Sequence, residues 1–346
     1  MSMANHDFLS VNGFLGTEMD ARAIKSATEL GIIDALITGG TTSLPALSTG
    51  RRVNPIGLRL LIDLLEVNGV VMRTGNQIEL TPRFRTALQF RDLLEARIAF
   101  SDLVWSDIHH LFTPLLNDPE QFMARSAIFE LFRYDRCFDV TPDNLEATSR
   151  WTKFTTCLTR YEAGAALDLI DLASVGSFID LGGNTGEFAL QVCKRNTGIE
   201  ATVVDLPVVC ALGQRHIAAN ASEAEAARIA FHPADMRQDV LPPAGDLVAF
   251  KSVLHDWPDT DAERLLERAH SVVRPDGRLV IFERGPIELR GKRLPYAMAP
   301  ELMFLHFLRP ADLYVRKLKE LGFVSIEHSS VELDMTFHLI VARRPA

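Results

Sequence analysis

The sequence is poor in cysteine and carries no excess of positive charge. Its 346 residues include four cysteines, and these lack C-x-x-C spacing and neighbouring histidine pairs. This argues against a zinc site and against a disulfide framework, so we expect reduced, buried thiols and no metal. The net charge of -9 and the sequence pI near 5.6 argue against a nucleic acid as the main partner. The cysteines are Cys137, Cys157, Cys193 and Cys210.

Long apolar runs are also missing. No run approaches the ~18 consecutive apolar residues that a membrane-spanning helix needs. The first residues, Met1 to Asp7, lack the charged and apolar regions of a secretory signal. We therefore expect a cytoplasmic protein without a membrane partner. With 47% apolar residues the chain can bury sizeable cores, and its length favours two domains.

One stretch in the second half of the chain has the pattern of a β-α-β unit. A short buried strand is predicted over Ser177 to Leu181, a helix over Glu187 to Arg195, and a second strand over Ala201 to Val204. The second strand ends at Asp205. A glycine turn followed about 20 residues later by an acid is typical of units that bind a ribose.

The turn in this unit reads Asp180-Leu-Gly182-Gly183-Asn184-Thr-Gly186. Its spacing differs from the G-x-G-x-x-G of dinucleotide sites, and Glu187 at the helix start would repel a pyrophosphate. It resembles the D-x-G-G-G-x-G motif of S-adenosylmethionine (SAM) dependent methyltransferases. Asn184 replaces the usual middle glycine, and asparagine is among the side chains that best tolerate positive φ.

The N-terminal 95 residues predict helices followed by a hairpin. Apolar periodicity predicts a helix over Asp20 to Leu36, a short one over Leu44 to Leu47, and one that begins at Pro55 with Asn54 as its cap. The hairpin strands lie around 70–72 and 77–80. This order is typical of a winged helix and raises DNA binding as an alternative. Because the helix from Pro55 is mostly aliphatic, we instead predict that this region forms a homodimer.

The rest of the chain predicts linking helices and then an α/β sheet. From Ser177 onward strands and helices alternate, which favours a mostly parallel sheet. The last two predicted strands, Val324 to Glu327 and Thr336 to Val341, are too close for a crossover helix and should pair antiparallel. We predict three regions: a winged-helix-like dimerisation domain (1–95), linking helices that contribute to a substrate pocket (96–170), and a SAM-binding methyltransferase domain (171–346).

Four segments together resemble one enzyme family, the dimeric small-molecule O-methyltransferases. These include the plant caffeate and flavonoid enzymes, acetylserotonin methyltransferase and bacterial natural-product methyltransferases. The resemblance implies a Rossmann-like SAM methyltransferase sheet of seven strands with the last one antiparallel. It also implies a small hydroxylated aromatic substrate and S-adenosylhomocysteine (SAH) as product. The segments are Leu30 to Leu36, Phe178 to Gly186, Val204 to Pro207 and Lys251 to Trp257.

The resemblance also assigns roles to individual residues. His255 would be the general base, since histidine accepts a proton readily near neutral pH, and Glu283 would assist it. Asp205 would bind the ribose, while Asp235 and Met236 would clamp the adenine. The full cofactor-binding set is Asp180, Gly182, Gly183, Gly186, Asp205, Leu206, Asp235, Met236 and Lys251. The substrate-pocket set is Asp256, Trp257, Met298, Met303 and His306.

The family's second acid is missing, because Leu308 stands about where it would fall, beside Arg309. His306 is a candidate to replace it in positioning His255. This departure leaves open a C- or N-methyltransferase that works by proximity. A SAM-binding relative that does not methylate also stays open, because the fold does not fix the function, and the winged-helix order leaves open a DNA-binding regulator. Asp259 and Asp261 could suggest magnesium, but Thr260-Asp-Ala-Glu263 has the pattern of a capping box, which explains the acids without metal.

Overall fold

The computed structural model describes residues 6–51 and 53–346. These residues form two compact units. The smaller unit contains the described residues up to Ser106 together with 289–300, and the larger unit contains 107–288 and 301–346. The segment 96–170, which the sequence presents as one block of linking helices, is thus divided between the units at Ser106.

The smaller unit begins with helices whose ends follow local sequence signals. The helix predicted as continuous over Asp20 to Leu36 is two helices, because Gly31 adopts a φ of 67° between them. Asn54 caps the next long helix as predicted, its side chain accepting from the amides of Ile56 (2.8 Å) and Gly57 (3.3 Å). The elements are α1 (Glu18–Glu29), α2 (Ile32–Gly39), α3 (Leu44–Ser48), α4 (Pro55–Val67), β1 (Val71–Thr74), β2 (Gln77–Leu80), α5 (Pro82–Ala87) and the first part of α6 (Arg91–Asn117).

Helices precede the sheet in the larger unit. The last of them begins after Thr141, whose side chain accepts from the amide of Asn144 at 3.2 Å. A short 3-10 helix, Tyr134–Phe138, lies before it. The α-helices are α7 (Pro119–Arg125), α8 (Ala127–Leu131) and α9 (Pro142–Leu167).

The larger unit contains the predicted seven-stranded sheet. Its order is β5-β4-β3-β6-β7-β9-β8, and β9 runs antiparallel to both β7 and β8. The fold class predicted from the sequence is confirmed. The elements are β3 (Ser177–Leu181), α10 (Glu187–Arg195), β4 (Glu200–Asp205), α11 (Pro207–Asn220), α12 (Glu223–Ala226), β5 (Ile229–Pro233), β6 (Gly245–Lys251), α13 (Asp259–Val272), β7 (Val273–Arg284), α14 (Ala299–Leu302), α15 (Ala311–Glu320), β8 (Val324–Glu332) and β9 (Thr336–Arg343).

The parallel strands β3, β4, β6 and β7 end at the same edge of this sheet. Their interiors are apolar on both faces, since helices cover the sheet, and α13 and α15 pack with β6, β7 and β9 in one core. Polar side chains appear where the strands end, at Asp205, Lys251 and Glu283. Ligands of open α/β sheets bind beyond these carboxyl ends, which places the candidate site here.

Two sequence-based expectations bear on the whole chain. All four cysteines are free and buried, as predicted. In the part of the chain that the structure describes, no helix is long and apolar enough to cross a membrane.

Candidate cofactor and acceptor site

The glycine turn after β3 depends on residues that tolerate positive φ. Gly182, Asn184 and Gly186 have φ values of 68°, 54° and 78°, so asparagine adopts the conformation expected of it. A Cβ at Gly182 would lie 2.9 Å from a methyl of Val253, and one at Gly183 would lie 2.6 Å from the Asp180 carboxyl group. Side chains at these two positions would clash, so glycine keeps this turn open to a ligand.

Two carboxyl groups lie beside this turn. Asp205 Oδ2 accepts from the Asn184 amide and Oδ1 from the Leu206 amide, both at 2.8 Å. Burial raises the pKa of Asp205 to about 6, although the hydrogen bonds from the two amides act to lower it. Asp180 is buried, and its Oδ2 has no hydrogen-bond partner among the described residues. Burial, followed by the charge of Asp205, raises the pKa of Asp180 to about 7. A cationic group of a ligand would satisfy this acceptor. The two carboxyl groups therefore fit SAM, which is a cation.

His255 and Glu283 are in direct contact. His255 lies in the 3-10 turn Leu254–Asp256 that follows β6, and its Nδ1 is 2.6 Å from Glu283 Oε2. Glu283 Oε1 accepts from the amides of Val253 (2.5 Å) and Leu254 (2.7 Å). Burial opposes ionisation of Glu283, but the charge and hydrogen bond of His255, with the two amides, hold its pKa below the ordinary value. An ionised Glu283 makes Nδ1 the donor and leaves Nε2 as a proton acceptor.

The surroundings of His255 Nε2 are aromatic, with one acid. Asp256 Oδ1 lies 3.6 Å from Nε2, and Tyr134 donates to Asp256 Oδ2 at 2.9 Å. Burial raises the pKa of Asp256. The Phe304 ring meets the imidazole edge to face at 4.8 Å, and Trp257 packs against Tyr134 at 5.7 Å. This environment suits a flat apolar molecule that presents a polar group to the histidine.

Asp235 does not offer the free carboxylate that an adenine clamp needs. Its Oδ1 accepts from Arg237 Nε (2.9 Å) and the Arg237 amide (3.0 Å), and its Oδ2 from Arg237 Nη2 (2.8 Å) and Gln238 (3.2 Å). These four bonds use the four acceptor positions of a carboxylate. Arg237 in turn stacks on Trp257 at 4.5 Å. Met236 does reach the glycine turn, since its methyl lies 3.5 Å from a Cβ built on Gly182.

Lys251 has the anionic partner that a buried lysine requires. Its Nζ lies 2.5 Å from Glu162 Oε2 and 3.1 Å from Thr159 Oγ1. Arg284 donates to the other Glu162 oxygen at 2.6 Å. Burial lowers the pKa of Lys251, and the charge of Glu162 opposes that shift. The ammonium group is therefore bound by side chains of α9.

The remaining predicted pocket residues are His306, Met303 and Met298. His306 Nε2 lies 2.6 Å from the Leu115 carbonyl oxygen, so the ring contacts α6, and Glu283 is the partner of His255. Met303 is buried in the larger unit, whereas Met298 belongs to the smaller one.

The capping box predicted over Thr260 to Glu263 is wrong. The helix α13 begins at Asp259 with Pro258 as its N-cap and no side-chain cap bond. A tertiary partner, Arg309, takes the Asp259 carboxylate instead, at 2.6 Å from Nε. Among the described residues, no group of three or more His, Cys, Asp or Glu side chains could hold a metal ion.

The sequence matches one protein-family model. The model of the O-methyltransferase domain matches residues 119–304, more than half of the chain. The chain belongs to the O-methyltransferase domain family. The family and the enzyme class predicted from the sequence, a SAM-dependent O-methyltransferase, are confirmed.

Relatives of this O-methyltransferase include animal and bacterial proteins. Acetylserotonin O-methyltransferase of Bos taurus is 35% identical over 135 residues, which is 37% of this chain and 38% of that protein. The N,N-dimethyltransferase OxyT of Streptomyces rimosus is 28% identical over 273 residues, 76% of this chain and 74% of that one. The crystal structure of human N-acetylserotonin methyltransferase in complex with SAM shares the fold, with a TM-score of 0.72, 23% identity and 95% of each chain covered.

Three residues of the candidate site were not predicted from the sequence. Tyr134 and Glu162 are far along the chain from their partners Asp256 and Lys251, so no local pattern points to them. Arg309 had a signal, because it stands beside Leu308 where an acid was expected. Its guanidinium donates to the Leu254 carbonyl at 2.8 Å and also to that of Trp257.

Proposed function

We propose that this O-methyltransferase transfers a methyl group from SAM to a hydroxyl group of a small aromatic acceptor, with His255 as the general base. The observation that carries this is the bond of 2.6 Å between His255 Nδ1 and Glu283, which leaves Nε2 to accept the proton. Val253, two residues earlier, packs against the glycine turn. The base and the proposed cofactor loop are therefore linked through one short segment.

The residues proposed to hold SAM are those of the glycine turn and the end of β4. Asp180 would take a cationic group, and Asp205 would accept the ribose hydroxyls, because each of its oxygens accepts only one backbone amide and has a second lone pair. SAM supplies an electrophilic methyl group when it is bound. Asp235 would join only if Arg237 turned away. The proposed set is completed by Gly182, Gly183, Gly186, Leu206 and Met236. Lys251 would join only if its ammonium group left Glu162.

The side chains divide the work of the reaction. His255 Nε2 accepts the hydroxyl proton, and Glu283 stabilises the resulting imidazolium through Nδ1. Phe304, Tyr134 and Trp257 confine a flat acceptor beside it. A positioned base contributes ~10²–10⁴-fold, whereas fixed orientation of the reactants can contribute ~7–11 kcal/mol. Holding the acceptor in line is therefore the larger part of catalysis.

A panel of hydroxylated aromatics tests the proposal. With isotopically labelled SAM, the expected product carries one labelled methyl group on oxygen, and one SAH is released for each product. Product mass and the methylated position are measured by mass spectrometry and NMR. SAM binding without SAH release for any acceptor would contradict the proposal, and retardation of DNA at physiological salt would support a regulatory relative instead.

Nitrogen is the second candidate acceptor. The similarity to an N,N-dimethyltransferase over 76% of the chain favours it, and so does the absence of an acid at Leu308. An amine that is already neutral needs no base in the transition state, so proximity would suffice. A panel that includes aromatic amines and aminophenols separates the two, because N- and O-methyl products differ in their NMR shifts.

Binding of SAH should depend on pH through Asp180. Its pKa of about 7 lies above the ordinary value, so the carboxylate that would attract the SAH ammonium is present above pH 7 and lost as the pH falls through 7. We expect the affinity measured by calorimetry to fall about tenfold from pH 8 to pH 6. The Asp180→Asn variant should bind more weakly and should keep only the smaller change, about twofold, that Asp205 with its pKa of about 6 would cause. A full tenfold dependence in that variant would assign the effect to a group other than Asp180.

The smaller unit is proposed to form a homodimer. The helix α4 exposes three apolar side chains on one face, with exposed fractions of 81% for Ile56, 59% for Leu60 and 89% for Val67. Light scattering at micromolar concentration should give twice the monomer mass of 38.5 kDa. Leu60→Asp should yield monomers, whereas the control Val240→Asp, at an exposed apolar residue of the larger unit, should not. A wild-type chain that scatters as a monomer would contradict this proposal.

A further inference from the structure

Arg309 stands beside Leu308, the position where the sequence lacks the family's second acid. It precedes α15, and its side chain is only 4% exposed. The guanidinium makes three hydrogen bonds: Nε to Asp259 Oδ1 at 2.6 Å, Nη1 to the Leu254 carbonyl oxygen at 2.8 Å, and Nη2 to the Trp257 carbonyl oxygen. Two of the three acceptors are backbone atoms on either side of His255.

The turn that carries His255 needs external support. It is a 3-10 helix of three residues, Leu254–Asp256, closed by backbone bonds from Asp256 to Val253 (3.1 Å) and from Trp257 to Leu254 (3.3 Å). Short 3-10 helices have poorer hydrogen-bond geometry than α-helices. Ser252, just before the turn, also has a φ of 56°, which is uncommon for a residue with a side chain.

Two charged side chains bind the backbone of this turn, Glu283 at its amide groups and Arg309 at its carbonyl groups. Glu283 accepts from the Val253 and Leu254 amides and from His255 Nδ1. Arg309 donates to the carbonyl groups of Leu254 and Trp257. The imidazole is therefore fixed directly by Glu283, while the backbone that sets its position is fixed from both sides.

The ion pair with Asp259 does not by itself explain the burial of Arg309. The Asp259 side chain is 64% exposed, and exposed ion pairs typically stabilise a fold by only ~0–1 kcal/mol. Removing a guanidinium group from water costs several kcal/mol unless its donors are paired. The bonds to the turn carbonyls are the contacts that arginine, with its planar fork of five donors, can make and lysine cannot.

We propose that Arg309 is a positioning residue for the general base: it fixes the turn so that His255 Nδ1 stays on Glu283 and Nε2 stays directed at the acceptor. The inference rests on the proposed function of His255. It assigns to Arg309 a part of the work that the family's second acid would do, although it acts through the backbone and not through the imidazole.

The test compares Arg309→Lys with Asp259→Asn. Lysine keeps the charge but cannot span both carbonyl groups, so kcat should fall about 10²-fold, the loss expected from a catalytic group misplaced by about 1 Å. The KM for the acceptor and the Kd for SAH should stay within about threefold. Asp259→Asn removes the ion pair and leaves the carbonyl bonds, so its kcat should stay within about threefold of wild type.

Proton NMR distinguishes a positioning role of Arg309 from a general structural role. A proton held between His255 Nδ1 and Glu283 should give a downfield resonance, which is assigned by its loss in His255→Ala. This resonance should broaden or disappear in Arg309→Lys and persist in Asp259→Asn. Arg309→Lys with the resonance and kcat of wild type would overturn the proposal. A loss of kcat together with loss of SAH binding or of cooperative unfolding would also overturn it, because it would show a general structural role.

The double variant separates this inference from the proposed function. If Arg309 acts through the base, adding Arg309→Lys to His255→Ala should not lower the residual rate further. A further fall in the double variant would show that Arg309 acts independently of His255 and would overturn the inference. A full rate in His255→Ala alone would instead contradict the proposed base, whatever Arg309 does.

Discussion

Replacing His255 by alanine should lower kcat by about 10²–10⁴-fold, the contribution of a general base. The reason is geometric, because Nδ1 is held by Glu283 at 2.6 Å and Nε2 is the nitrogen left to take a proton. Affinity for SAH should stay nearly unchanged, since the cofactor contacts are proposed at Asp180, Asp205 and the glycine turn. Steady-state rates with the best acceptor of the panel, together with calorimetry of SAH binding, measure both quantities.

His306→Ala is the matched control for this variant. Its ring contacts the Leu115 carbonyl oxygen and not His255, so we expect kcat to stay within about threefold of wild type. If His255→Ala retained such a rate, the acceptor would reach the site already ionised, or nitrogen or carbon would be methylated by proximity.

Local patterns predicted the parts of this molecule that depend on local physics. The glycine turn, the Asn54 cap and the alternation of strands and helices follow from backbone conformation and from the burial of both sheet faces. The break at Gly31 was missed because the apolar spacing continues across it. A single glycine with a φ of 67° ends one helix and starts another without any change in that spacing.

The partner that a given carboxylate takes could not be predicted in the same way. Asp235 has the position expected of an adenine clamp, yet Arg237 neutralises it with a bidentate contact. The acids near Thr260 fit a capping box, but Asp259 is held by Arg309 from fifty residues away. In both cases a carboxylate has more than one possible donor, and the choice is made by packing that a linear pattern does not contain.

The assignment of His306 illustrates the same limit. The sequence places it near the missing acid, and only two residues separate it from Arg309. Arg309 is turned into the larger unit's core and His306 lies on the exposed side. Neighbours in sequence can point to opposite sides of a segment, so the residue that supports the turn of His255 is the one with a buried side chain.

Replacing Glu283 by glutamine should lower kcat about 10–10²-fold, less than the loss of the base itself. Three donors converge on this side chain, the amides of Val253 and Leu254 and the imidazole of His255. Glutamine would present an NH₂ group to at least one of them, and a lost hydrogen bond to a charged group is worth about 1.5–3 kcal/mol. The free energy of unfolding, measured with urea, should fall by a similar amount.

Asp246→Asn distinguishes the effect on the base from the effect on stability. Asp246 Oδ2 also accepts three hydrogen bonds, from the amides of Gly176 and Ser177 and from the Ser177 hydroxyl, at the amino end of β3. The Asp246→Asn variant should therefore be less stable than the wild type but keep its kcat.

Residues that act as one unit are not additive, so Glu283→Gln combined with His255→Ala should be no slower than His255→Ala alone. A double variant slower by the product of both losses would mean that Glu283 supports the reaction by a route that does not pass through the imidazole.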